Sequence, residues 1–227
     1  MRAWVGAIWT LRRGPLLLLG QLAATAAALA WVPGNPAKLA TMVAIWWVGF
    51  GRLTGAEFLA ACAVDSAFVV MNRAALDQGL FRFDHPDLFG MPYYEYLAWG
   101  FYTLHAIRLI GGRPANGNLY FAAGAAAVFA LPFATIADRS ALLPASAILL
   151  ASCLALFHEF NDVLYAGYMA GLGVLIEHVG VSTGQWQYPD PPWGGVPLWS
   201  LTMWAGVGLF TRRLILPAIH RTGRPRG

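Results

Sequence analysis

The sequence predicts an all-α integral membrane protein of about eight transmembrane helices, built as two parallel four-helix repeats with a pseudo-twofold axis along the membrane normal. Three observations predict it. Of 227 residues, 58% are hydrophobic and 11% are charged, less than half the roughly 25% charge typical of a globular chain. Apolar stretches close to the ~20 residues needed to cross a bilayer fill nearly the whole chain. A self-match at an offset of 105 residues then sorts those stretches into two sets of four.

The spans fall at 15–32, 37–53, 56–73, 92–111, 117–137, 140–157, 161–179 and 197–218. Turn chemistry separates them at Pro33-Gly34-Asn35-Pro36, Gly111-Gly112-Arg113-Pro114 and Asp138-Arg139. Several are short, which implies tilt or local thinning of the bilayer. The first span has a rival reading as a signal peptide, because Arg12-Arg13, a leucine run and Ala28-Leu29-Ala30 follow in that order. The repeat needs this helix and favours the span.

An even number of spans puts both termini on one side, together with Arg2, Arg12, Arg13, Arg52, Arg108, Arg113, Arg212, Arg213, Arg221, Arg224 and Arg226. The other side receives Lys38, Arg73, Arg82 and Arg139. The positive-inside rule makes the termini cytoplasmic and the protein a multi-pass component of the inner membrane. The net charge of +4 is therefore topological, with some attraction to anionic lipid, and a nucleic-acid partner gains no support. Cys62 and Cys153 lie in apolar runs, so both are expected to be buried free thiols. The sequence carries no signal for an oligomeric state.

The repeat is specific. Gly79 meets Gly184, Phe81 meets Trp186, Phe83 meets Tyr188, Gly90 meets Gly195, Pro92 meets Pro197 and Trp99 meets Trp204. The run Arg108-Leu109-Ile110 meets Arg213-Leu214-Ile215, Glu57 falls on Asp162, and Asn72 on Glu177. The halves are expected at about 1–113 and 114–227. Parallel repeats place sites at the interface between halves. The two aromatic loops, 77–91 and 180–196, each lie between the third and fourth span of their half. Phe81 with Phe83, and Trp186 with Tyr188, share a face of a short extended segment. They form either an interfacial aromatic belt or the wall of a ligand cavity.

Acids inside a membrane are costly and face the bundle interior. Asp65 is mid-span, with Asn72 on the same face; Glu95 opens a helix after Pro92, where the dipole favours it; Glu177 closes the seventh span. These three acids are the catalytic candidates. Asp77, Asp84, Asp87 and Asp190 read as satisfied helix-end groups. A second group, Glu57, His105, His158, Glu159 and Asp162, lies toward the other end. His158 and Asp162 share a helix face, so His105, His158 and Asp162 are a weak metal alternative, with the bland reading of a capped helix junction beside it. No phosphate loop, dinucleotide fingerprint or serine-nucleophile motif is present, and no cofactor is expected.

Gly79-Leu80-Phe81-Arg82-Phe83, followed by Gly90-Met91-Pro92-Tyr93-Tyr94-Glu95, resembles the membrane lycopene cyclase domain. The segment from Glu177 to Tyr188 with Gly195-Val196-Pro197 is similar to related carotenoid-biosynthesis membrane proteins that include a bacterioruberin-type hydratase. The acidic pair of that pattern is reduced to Glu95, with Ser200 in the second half. The resemblance implies an enzyme acting on an isoprenoid lipid by alkene protonation, as a cyclase, hydratase or isomerase. Glu95, Glu177 or Asp65 would supply the proton, and Phe81, Phe83, Tyr94, Trp99, Trp186, Tyr188, Trp204 and Asn72 would surround the substrate. The alternative is a small transporter, or a lipid-binding or structural membrane subunit without catalysis.

Overall fold

The computed structural model describes residues 14–189 and 194–222. Arg2, Arg12, Arg13, Asp190, Pro191, Arg224 and Arg226 lie outside the described residues, as does the charged start of the signal-peptide reading.

Four helices form the first set: α1 (Pro15–Trp31), α2 (Asn35–Phe50), α3 (Gly55–Asp77) and α4 (Glu95–Ile110). Four more answer them at nearly the same spacing: α5 (Leu119–Thr135), α6 (Arg139–Phe157), α7 (Phe160–Ser182) and α8 (Leu198–Phe210). A π-helical turn (Thr211–Ile215) and α9 (Leu216–Thr222) continue α8. Sequence chemistry sets the ends. Pro15 and Pro36 sit in first turns, where a missing N–H costs nothing. Thr54 and Glu57 close a capping box on α3, and Asp138 accepts the Ser140 N–H at the start of α6.

By length and composition, α3, α6 and α7 are each able to cross a bilayer, and α1 and α5 are shorter apolar helices. The outer surface carries Leu16, Trp31, Trp47, Tyr120 and Phe160, all more than two-thirds exposed. In water such a surface would be a liability; against acyl chains it is solvated. The chain is a multi-pass all-α membrane protein.

Between α3 and α4 runs β1 (Arg82–Phe83), and between α7 and α8 runs β2 (Trp186–Gln187). The two strands pair antiparallel, with Arg82 opposite Gln187 and Phe83 opposite Trp186. Arg82 and Gln187 are themselves equivalent in the repeat, 105 residues apart, and Arg82 Nη2 donates to Gln187 Oε1 at 2.9 Å. A local twofold axis therefore passes between them. Deeper along the interface the equivalent Trp99 and Trp204 meet ring to ring, with centroids 4.5 Å apart. Each strand is entered through a glycine in the left-handed region, Gly79 at φ 67° and Gly184 at φ 66°. A side chain would be strained there, which explains their recurrence.

The repeat also extends to interior ion pairs. Arg108 Nε meets Glu57 Oε1 at 2.7 Å, and at the equivalent positions Arg213 holds both carboxylate oxygens of Asp162. Each arginine also donates to a backbone carbonyl and faces an aromatic ring, Phe50 for Arg108 and Phe157 for Arg213. Arg212 binds Glu159 at 2.6 Å. Arg108, Arg212 and Arg213 therefore serve the interior as well as the charge asymmetry. The π turn widens the helix where two consecutive arginines both turn inward.

Three expectations need correction. Cys62 is exposed on the outer face, and only Cys153 is buried; an apolar run in a membrane helix includes its lipid-facing side. Helix α4 begins at Glu95, because Pro92 to Tyr94 form a preceding turn. The proposed metal group does not assemble. His105 is buried between the Leu18 carbonyl at 2.8 Å and the Tyr168 hydroxyl at 2.7 Å, His158 is the left-handed C-cap of α6, and Asp162 is held by Arg213. Among the described residues no three potential ligands gather.

Candidate functional site

A cavity lies under the β-ribbon, at the joint between the two helix sets. Its walls are aromatic: Phe81 and Phe83 from one loop, Trp186 and Tyr188 from the other, and Trp99, Tyr102, Trp199 and Trp204 from α4 and α8. Its charged groups are Glu95 and Glu177, with Asn72 between them in character. Among the described residues, no Lys, Arg or His lines it. The free space is about 50 Å³. That is room for a few waters or a small headgroup, and far short of a forty-carbon polyene.

The ribbon supplies four of the rings because a strand alternates its side chains. Phe81 packs on Phe83 at 5.3 Å and on Tyr188 at 5.9 Å, and Phe83 meets Trp186 at 6.1 Å. Small residues bring the helices close. A Cβ on Gly173 would overlap the Trp204 indole; the equivalent position in α3 is Phe68, which stacks on Trp99 at 3.8 Å.

The two acids are held differently. Glu177 accepts from Trp186 Nε1 at 2.9 Å, from Tyr188 Oη at 2.8 Å and from Trp204 Nε1 at 2.9 Å. Three neutral donors around one buried carboxylate disperse its charge. At the equivalent place in the first half stands Asn72, and the donors Trp186 and Tyr188 are matched by Phe81 and Phe83, which have nothing to donate. Acid and donors change together. Trp99 is the exception: it keeps the indole of Trp204 without the acceptor at the equivalent place, and its buried N–H approaches Glu95 without a hydrogen bond of regular geometry. Trp199, also on the wall, has a second unpaired indole N–H. Glu95 has Asn72 Nδ2 at 3.5 Å, the outer limit of a hydrogen bond, and the Trp99 indole beside it.

Of the residues singled out from the sequence, Glu95, Glu177, Asn72, Phe81, Phe83, Trp99, Trp186, Tyr188 and Trp204 line this one cavity. Asp65 does not. It accepts the Gly100 N–H at 2.6 Å and ties α3 to α4. Tyr94 is buried between the halves, with its hydroxyl 3.5 Å from Gln185 Oε1. Asp77 pairs with Arg73 and Asp87 accepts the Tyr93 N–H, both helix-end or loop roles. Tyr102 and Trp199 were not anticipated. Their signals were present: Tyr102 follows Trp99 by one helical turn, and Trp199 stands where the repeat puts Tyr94.

Fold and site together define a class: a multi-pass helical membrane protein with an acid-bearing aromatic cavity at its internal joint. No protein-family model matches the chain, and no curated protein matches it. Among solved structures, two crystal structures of a mycobacterial Insig homologue from Mycobacterium vanbaalenii, MvINS, share its fold. One is of the protein itself and the other of a cross-linked trimer. Each has a TM-score of 0.64 and 18% sequence identity, covering 78% of this chain and 100% of the homologue.

This likeness overturns the resemblance to the lycopene cyclase domain and the carotenoid hydratases, a family distinct from the Insig homologues. The physical reason lies in what the motif does. Its glycines supply left-handed turns, its aromatics form the twofold ribbon, and Trp186 and Tyr188 satisfy Glu177. The pattern is accounted for by this architecture.

Proposed function

We propose that the chain is a non-catalytic membrane protein that holds the polar end of a hydrophobic, lipid-like molecule in the cavity between its halves, 1–113 and 114–227. One observation carries the reading: an aromatic cavity of headgroup size, inside a membrane fold, whose wall keeps under-satisfied indole N–H groups at Trp99 and Trp199 beside the weakly held carboxyl of Glu95. A buried polar group without a partner is costly, and a ligand's polar end relieves that cost. The fold shared with the Insig homologue supports a membrane protein without catalysis. The geometry also favours binding over proton transfer. Glu177 accepts three hydrogen bonds, which suits a carboxylate held as an acceptor, and Asp65 is engaged by backbone outside the cavity.

The arginine asymmetry supports cytoplasmic termini in the inner membrane. The test is native mass spectrometry of the protein ejected from lipid nanodiscs. Wild type should carry one lipid-like adduct per chain, and Ala75→Phe, which fills the cavity from its wall, should carry none while keeping its thermal unfolding profile. Equal adducts on both proteins would refute the assignment.

A further inference from the structure

The charge balance of the cavity suggests what the ligand's polar end is. Two carboxylates line it, close enough for their charges to interact, and among the described residues its wall brings no cationic side chain. Elsewhere the fold provides for its acids: Glu57 pairs with Arg108, Asp162 with Arg213 and the half-buried Glu159 with Arg212, while Asp65 accepts the Gly100 N–H. Glu177, with no ion pair, is given three donors. Glu95 is held more weakly, by the long contact from Asn72 and the neighbouring Trp99 indole, and has no ion pair. A buried carboxylate left without a counter-charge costs several kcal/mol. A fold that provides for every other interior acid leaves this one facing the cavity.

The rest of the wall has matching chemistry. The faces of Trp99, Tyr102, Trp186, Tyr188 and Trp204 surround the space, and aromatic rings attract an organic cation through their quadrupoles. A ring of aromatics with an acid that has no ion pair suits an ammonium group. The unpaired N–H groups of Trp99 and Trp199 add donors for an oxygen acceptor on the same ligand. An anionic head would meet two acids, Glu95 and Glu177, and no cation among the described wall residues.

Resting on the lipid-binding reading above, we infer that the cavity takes an ammonium-bearing amphiphile, with its cationic centre on Glu95 inside the aromatic wall and its chain toward the membrane.

The test compares decyltrimethylammonium with decanol, which offers the same chain and a neutral head, below their micellar concentrations on the full chain in nanodiscs. Binding is read by native mass spectrometry and by thermal shift, for wild type, Glu95→Gln and Ala75→Phe. The ammonium compound should bind wild type at least tenfold tighter than decanol, about 1.4 kcal/mol. Glu95→Gln should abolish that preference while still binding decanol, and Ala75→Phe should bind neither. Equal affinities, or a preference that survives Glu95→Gln, would overturn the cationic assignment and leave the lipid-binding reading standing. If neither compound binds wild type, both readings fall.

Discussion

Replacing Arg213 by Met tests how the interior ion pairs hold the bundle. Arg213 is 6% exposed and binds both carboxylate oxygens of Asp162, which has no exposure at all, together with Glu159 Oε1 at 3.0 Å and the Phe157 carbonyl. The substitution keeps a long unbranched side chain and removes the guanidinium that lies over Phe157. Asp162 is then buried with only the capping contact to the Glu159 N–H, at 3.2 Å. Breaking a buried pair by removing one partner costs about 3–5 kcal/mol. For a chain of this size that is on the order of 10 °C in Tm. Unfolding by sodium dodecyl sulfate titration from mixed micelles reads the free energy directly. The double variant Arg213→Met with Asp162→Leu should recover at least half of the loss, because no orphaned charge remains. The equivalent pair should behave alike: Arg108→Met strands Glu57, which keeps Thr54 as donor, so its loss should be the smaller. Single variants within about 0.5 kcal/mol of wild type, or a double variant as weak as the single, would refute the account of these pairs.

Three further outcomes follow from the packing. Gly173→Val should strongly destabilise the protein and shift tryptophan fluorescence, since its Cβ overlaps Trp204, whereas Gly171→Ala, with open space around it, should stay within about 0.5 kcal/mol. Tyr188→Phe removes one of three donors to Glu177 and should cost about 1–2 kcal/mol in the same titration; Phe83→Tyr, its twofold counterpart, should bring no compensating gain because Asn72 is not an acid. Hydrogen bonds from the Ser140 side chain and N–H hold the Asp138 carboxyl below its usual range. A carboxyl lowered in the folded state stabilises above its unfolded value and loses that contribution as pH falls through the folded one. Asp138→Asn should therefore flatten the acid limb of the Tm–pH profile.

Much of this architecture was legible before any coordinates. The glycine and proline positions marked the turns, and the 105-residue offset predicted which elements would be equivalent. Most of the cavity wall followed from the same motif. The β-ribbon was not foreseen, since two-residue strands show no alternation long enough to register. Glu57 with Arg108 and Asp162 with Arg213 were both visible within the repeat, each separated by 51 residues. The arginines were assigned to topology and the acids to a possible metal group, so the repeated pairing passed unseen. Asp65 shows the other difficulty: an acid in mid-membrane marks an interior face, but whether it meets backbone or a cavity depends on the close approach of Gly100 on the facing helix. The resemblance to a carotenoid enzyme failed because turn glycines and paired aromatics serve geometry first.

A crystal structure of the protein grown from a lipidic mesophase tests the central claim most directly. Non-protein density should fill the space between Glu95, Trp99 and Trp199, one molecule per chain, with its polar end on Glu95. A cavity closed on itself, with the Trp99 N–H bonded to Glu95 and no density between the rings, would contradict it.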